Sequence, residues 1–173
     1  VINYMKVTGL LKTNGKVSGV TAVDQESGEA FTINAKTVVN ATGVFVDDIL
    51  SMDQPEHKNM VRPSQGVHLV LDKEFFPGED ALMIPKTSDG RVLFAVPWHD
   101  KVVVGTTDTP LDEHSLEPKA LEEEIEFILA TAKEYLIQAP TRKDVKSVFA
   151  GLRHLAAPQG DSQKTKEISR SHK

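Results

Sequence analysis

The chain has 173 residues, 39% of them apolar and 26% charged, with a formal net charge of -5. That is the balance of an ordinary globular protein, long enough for one well-buried core and a small second lobe. It contains no cysteine, which excludes disulfides, thiolate nucleophiles and cysteine zinc sites and fits a cytoplasmic protein. Its twenty Lys and Arg gather into no basic stripe, so no nucleic acid partner is expected. No apolar run approaches the ~20 residues needed to span a bilayer, and no signal-peptide pattern opens the sequence.

The start, Val1-Ile-Asn-Tyr-Met-Lys-Val7, reads as the inside of a strand. The end, Ile168-Ser-Arg-Ser-His-Lys173, does not taper, and an excised piece of a larger protein is expected. Residues 1 to about 40 read as a strand meander, with apolar residues from Val7 to Ile33 and turn signals at Asn14-Gly15 and Ser27-Gly28. Thr37-Val-Val-Asn-Ala41 reads as a fourth short strand running into Thr42-Gly43, and Val44 to Leu50 as one or two helical turns. Residues 51–60 are polar, hold Pro55 and read as a loop.

A second strand-rich block follows. Gly66 to Leu71 and Ala81 to Ile84 read as strands, and Arg91 to Val96 with Lys101 to Val104 as a hairpin joined through Pro97-Trp-His-Asp100. Leu121, Ile125, Ile128, Leu129, Ala132 and Leu136 recur at helical spacing, predicting one long helix from Pro118 to Leu136 with the proline in its first turn. Lys146 to Leu152 returns to strand, and the last dozen residues read as a polar loop. The order predicts an α+β fold of largely antiparallel β-sheets with one long helix, rather than a parallel βαβ wrap.

No Gly-x-Gly-x-x-Gly or P-loop occurs, so the chain has no recognisable dinucleotide cradle. The six histidines lack metal spacing, and no Gly-x-Ser-x-Gly supports a Ser-His-Asp hydrolase. Four clusters of special residues remain. Val38-Val-Asn-Ala-Thr-Gly43 reads as a buried strand ending in a turn, or as small residues that let a ligand approach the backbone. Arg62-Pro-Ser-Gln-Gly-Val-His68 carries a histidine that is either a satisfied polar residue or a general base, with Gly66 leaving room beside it. Gly105-Thr-Thr-Asp-Thr-Pro110 is a strand-end turn or the polar rim of a cavity. Ala150-Gly-Leu-Arg-His154, and Ser169-Arg-Ser-His172 beyond it, carry arginines that are surface ion pairs or holders of an anionic oxygen.

Taken in order, these clusters resemble the FAD-dependent glycerol-3-phosphate dehydrogenases of the D-amino-acid oxidase-like flavoprotein superfamily. The likeness spans Asn3 to Val7, Val38 to Gly43, Arg62 to His68, Val92 to Trp98, Gly105 to Asp108, Gly151 to Arg153 and Ile168 to Arg170. It implies oxidation of glycerol 3-phosphate to dihydroxyacetone phosphate by hydride transfer to FAD, with electrons passed to a quinone. His68, Arg153 and Arg170 are then the catalytic residues, and Arg62, Gly66, Thr107 and Asp108 the substrate side. Ala41, Thr42, Gly43, Gly105 and Gly151 are on the cofactor side.

The resemblance further implies a partial FAD-binding domain at 1–45, a substrate-binding cap at 46–150 and a return segment at 151–173. The intact protein is expected in the cytoplasm, peripheral on the inner face of the cell membrane, and this chain alone is expected to be inactive and to bind no FAD. Four departures stand out. Gln65 and Val67 replace the Lys and Ser of a Lys-Gly-Ser-His element, Val44-Phe45 replaces Pro-Trp, and His154 replaces Pro. The competing readings are a flavin-dependent amine or 2-hydroxy acid oxidase, and a non-catalytic binding module in which His68 and Arg153 lie far apart.

Overall fold

The computed structural model describes residues 1–85, 87 and 90–157. The chain divides into two compact units, Val1–Val61 and Arg62–Lys173.

The first unit is built on a three-stranded antiparallel sheet: β1 (Met5–Thr13), β2 (Lys16–Asp24) and β3 (Ala30–Asn34), in that order. β1 begins at Met5, later than the Val1 start expected. Asn14 and Gly15 connect β1 to β2 with φ of 51° and 76°, the left-handed pair whose twist matches a tight hairpin. Between β2 and β3 the Asp24 carboxylate accepts from the Glu26 N–H at 2.9 Å and from Ser27 Oγ at 2.8 Å, an Asx-type turn.

The fourth strand expected at Thr37–Ala41 does not form. A strand is held by its ladder to a neighbour, and among the described residues no strand of this unit pairs with that run, which leaves Val39 80% exposed. A 3₁₀ turn at Gly43–Phe45 leads into α1 (Val46–Asp53), which continues past the expected Leu50. Lys12 Nζ, on β1, donates to the Asp53 carbonyl at 2.9 Å and pairs with its carboxylate at 2.8 Å. In the first turn of α1, Asp47 accepts the Met60 and Val61 N–H groups at 2.9 and 3.0 Å, and its Oδ1 lies 3.2 Å from His57 Nε2. One carboxylate thus folds the loop back onto the helix start, where the helix dipole favours a negative charge.

The second unit begins within β4 (Val61–Asp72), the long strand on which everything else is hung. β5 (Leu82–Ile84), β6 (Leu93–Trp98), β7 (Lys101–Gly105), β8 (Thr109–Pro110), α2 (Glu122–Tyr135) and β9 (Ser147–Ala156) follow. The sheet order is β5-β6-β7-β4-β8, with β9 also pairing to β4. The β5/β6, β6/β7, β7/β4 and β4/β8 pairs are antiparallel, in keeping with the expected fold class. The expected hairpin forms with Trp98 opposite Lys101 and His99 in the left-handed region at its tip.

Alternation along β4 sorts its side chains. Val67, Leu69 and Leu71 are buried, while His68 and Val70 between them are partly exposed on the other face. The buried face joins Val102 and Val104 of β7, Leu93 and Ala95 of β6, and the α2 stripe of Ile125, Ile128 and Ala132. The helix starts at Glu122, not at Pro118, because Leu121 is extended at φ -79°, ψ 147°. The Glu124 carboxylate accepts the Leu121 N–H at 3.0 Å, which satisfies a donor the helix start leaves free and marks the boundary.

Candidate active site

β4 pairs with β7 through residues 68–72 and with β8 through Ser64 and Gln65. Residues 106–108 bridge those two stretches opposite Gly66 and Val67. There the Val67 N–H donates to Thr107 Oγ1 at 3.0 Å. The segment Gly105 to Asp108 is therefore held tightly against the strand that carries His68.

β9 brings Arg153 to the same place. Its Nη1 donates to the Thr107 carbonyl at 3.1 Å and its Nη2 to Thr106 Oγ1 at 2.9 Å, and Nη1 lies 3.8 Å from Asp108 Oδ1. Asp108 in turn accepts a short hydrogen bond from Ser64 Oγ. A side chain on Gly66 would begin 2.2 Å from Arg153 Nη2, so the missing Cβ is what lets the guanidinium lie over the strand. Gly105 plays the same part for the histidine, since a Cβ there would sit 2.4 Å from His68 Cδ2 and 2.8 Å from the Val67 carbonyl. The two glycines read in the sequence as room for a ligand leave that room to Arg153 and His68.

The His68 ring stacks on Phe149 of β9, with centroids 5.1 Å apart and planes 9° from parallel. Phe149, Gly151 and Arg153 alternate to one face of β9, and nothing lies within 4 Å of where a Gly151 side chain would start. Burial holds the His68 pKa below its ordinary value, and the Arg153 charge lowers it further. His68 is thus a neutral imidazole near pH 7, a proton acceptor set beside a fixed cation. His68 borders a groove of ≈ 600 Å³ whose lining includes Phe94, Val96, Trp98, Lys101 and Phe149, and Thr106, which holds Arg153, lines it too. Apolar walls with few polar groups are what a small-molecule site needs.

The remaining expected residues fall in different places. Thr107 is 1% exposed, and its hydroxyl is engaged by Glu124 and by Val67. Arg62 is half-buried near the start of β4. Ala41, Thr42 and Gly43 lie in the first unit as an exposed turn shaped by Asn40, whose Oδ1 accepts from Thr42 Oγ1 at 2.8 Å and whose Nδ2 donates to the Val46 carbonyl at 3.0 Å. Arg170 lies outside the described residues, as does the expected polar loop at the C-terminus. Gln65 and Val67, the departures from the family element, are 2% and 0% exposed and alternate to the face opposite His68.

Glu124, Phe149, Ser64 and Asn40 escaped the sequence reading as site residues. Glu124 had a signal: it is a carboxylate three residues after Leu121 and four before Ile128, on the apolar stripe of the helix.

A neutral imidazole and a guanidinium are thus gathered on one loop, Gly105 to Thr107, a pair of the kind that can accept a proton and steady a negative oxygen. The exposed Ala-Thr-Gly turn leaves open space at Gly43, where nothing lies within 4 Å of a side chain started there. Residues 1–167 match the family described as DAO, FAD dependent oxidoreductase, and the chain belongs to that family.

Among its relatives, the chain is 41% identical over 190 residues to the mitochondrial glycerol-3-phosphate dehydrogenase of Schizosaccharomyces pombe, covering 99% of this chain and 29% of that protein. It is 39% identical over 178 residues to the mitochondrial glycerol-3-phosphate dehydrogenase of Homo sapiens, covering 98% of this chain and 24% of that one. The glycerol-3-phosphate dehydrogenase of Bacillus halodurans, solved complexed with FAD, superposes with a TM-score of 0.84 at 41% identity over 90% of this chain and 32% of that one. The chain therefore spans less than a third of the length of the relatives it matches.

Proposed function

We propose that this chain is part of an enzyme that oxidises sn-glycerol 3-phosphate to dihydroxyacetone phosphate. The observation that carries the reading is the pairing of His68 with Arg153, each lodged in the space of a glycine, in a chain 39–41% identical to glycerol-3-phosphate dehydrogenases. FAD, when bound, supplies the hydride acceptor for the substrate carbon. His68 takes the proton of the C2 hydroxyl, because its imidazole is neutral at working pH and can accept it. Arg153, and Arg170 with it, hold the developing negative charge on that oxygen without a titration step of their own. Arg62 and Asp108 border the substrate, and Gly66 and Thr107 hold the arginine that does so. Ala41, Thr42, Gly43, Gly105 and Gly151 form the cofactor side.

In this reading residues 1–45 belong to a flavin domain, 46–150 to a substrate-binding cap and 151–173 to the return towards the flavin domain. Electrons pass to a quinone, and the intact protein works in the cytoplasm at the periphery of a membrane. Among the described residues no helix is long and apolar enough to cross a membrane. The non-catalytic alternative requires His68 and Arg153 to be far apart. Their shared loop, Gly105 to Thr107, argues against it.

The decisive experiment is anaerobic mixing of the intact, flavin-loaded protein with glycerol 3-phosphate, glycerol, glycine and a 2-hydroxy acid in turn. Bleaching of the flavin absorbance by glycerol 3-phosphate alone supports the reading. Bleaching by the amine or the hydroxy acid, with none by glycerol 3-phosphate, overturns it in favour of another oxidase of the superfamily.

A further inference from the structure

Glu124 is the one ionisable group among the buried polar side chains of the described residues, at 4% exposure. It lies on α2, away from the groove, and takes no part in the chemistry above. Its Oε1 accepts from Thr107 Oγ1 at 2.7 Å and Thr109 Oγ1 at 2.6 Å. Its Oε2 accepts from Gln65 Nε2 at 2.6 Å and the Leu121 N–H at 3.0 Å. An ionised carboxylate offers about four acceptor sites and no donor, so these donors fill it. Burial alone would raise its pKa, but the hydrogen bonds from Thr109, Leu121, Thr107 and Gln65 outweigh it and keep the carboxyl below its ordinary range.

Two branches of this cluster run towards the site: Gln65 sits on β4 beside Gly66, and Thr107 makes the contact with Arg153 itself. Thr107 gives its hydroxyl hydrogen to Glu124 and accepts the Val67 N–H, next to His68, on the same oxygen. Its carbonyl accepts from Arg153, whose other nitrogen is held by Thr106. The Thr109 and Leu121 branches end in β8 and in the helix start. A rigid anion in α2 thus pins the residue from which both the histidine strand and the arginine are hung. We propose that Glu124 is a positioning residue that, through Thr107, fixes Arg153 relative to His68 and so governs turnover without touching substrate.

The proposal rests on the dehydrogenase reading above. Thr107→Val and Thr109→Val each remove one hydroxyl from the same Glu124 oxygen, but Thr107→Val also strips the acceptor from the Val67 N–H, so it is the comparison with Glu124→Gln that assigns the effect to Glu124. In the intact flavin-loaded enzyme, with rates normalised to bound flavin, Thr107→Val should lower kcat about tenfold with a smaller change in KM. Thr109→Val should stay within about twofold of the parent, and Thr107→Ser should restore most of the rate. Glu124→Gln should be no more than weakly additive with Thr107→Val, as two members of one chain of contacts are. Equal kcat losses in the two valine variants, or full additivity, would overturn the proposal.

A second readout does not depend on turnover. In 15N-labelled protein the Arg153 side-chain N–H resonances should move in Thr107→Val and Glu124→Gln and remain in place in Thr109→Val. Unmoved Arg153 resonances in Glu124→Gln also overturn it. A parent enzyme that leaves glycerol 3-phosphate unoxidised is a different result, which counts against the functional reading and leaves the resonance test to decide the positioning.

Discussion

Gly66 and Arg153 illustrate how a residue's role is set by what fills the space beside it. A methyl at Gly66 meets first the far end of a flexible arginine, which can swing aside at little cost in stability. Gly66→Ala should therefore leave the melting temperature of the intact protein nearly unchanged while lowering kcat/KM by about tenfold or more. Thermal melts beside steady-state rates check this, and a variant with normal turnover would remove Arg153 from the mechanism. For His68 the folded pKa lies below the unfolded value of about 6.5. The neutral ring's contribution to stability is then present above about pH 6.5 and is lost as pH falls through the folded value. Melting curves between neutral and mildly acid pH should fall more steeply for the parent than for His68→Asn. The acid limb of kcat/KM should likewise lie below the ordinary imidazole range. His68 and Arg153 were legible in the sequence as types of residue at strand ends. That glycines make room for them was not, because which strands meet is not a local property.

At the scale of elements, α2 and α1 are held by different physics. Ile128 is 0% exposed at the centre of the helix stripe, and Ile128→Ala should cost about 2–5 kcal/mol in denaturant unfolding of the second unit. Leu129 is only partly buried, so the same truncation there should cost visibly less. The first unit relies on a carboxylate: Asp47→Ala strips the acceptor from the Met60 and Val61 amides and should cost about 1–2 kcal/mol. An unfolding midpoint unchanged by Asp47→Ala would show that the loop needs no such anchor. The helix stripe, the Asn14-Gly15 turn and the β6–β7 hairpin were readable because helix and strand periods are local. The helix start was misread at Pro118. Pro tolerates a first turn but does not compel one, and the Glu124 back-bond decided the boundary four residues later. The Thr37–Ala41 strand was misread because apolar β-formers need a ladder partner as well as a propensity.

For the molecule as a whole, the chain carries the proposed proton acceptor and anion holder but no Gly-x-Gly-x-x-Gly to cradle a pyrophosphate on backbone amides. The 173-residue chain mixed with FAD should leave the flavin fluorescence unquenched and the protein colourless after gel filtration. A yellow, flavin-loaded fraction would contradict this and move the cofactor's main contacts onto the residues described here. Net charge bears on solubility and partners but decided nothing about the fold, which in the second unit follows from one helix covering one face of its sheet.

What the sequence by itself determined was the alternation that sends Val67, Leu69 and Leu71 one way and His68 the other, the amphipathic stripe of α2, and the ordered motifs that mark the family. These are short-range patterns, and hydrophobic burial enforces them wherever the chain goes. What only the tertiary structure decided was the pairing of β9 with β4. That pairing brings Arg153 over Gly66 and stacks Phe149 on His68, while the packing of α2 ties the loop between β7 and β8 to Glu124. Contacts between residues so distant in the chain depend on strand order and on interatomic gaps of a few ångströms, neither of which a local pattern encodes.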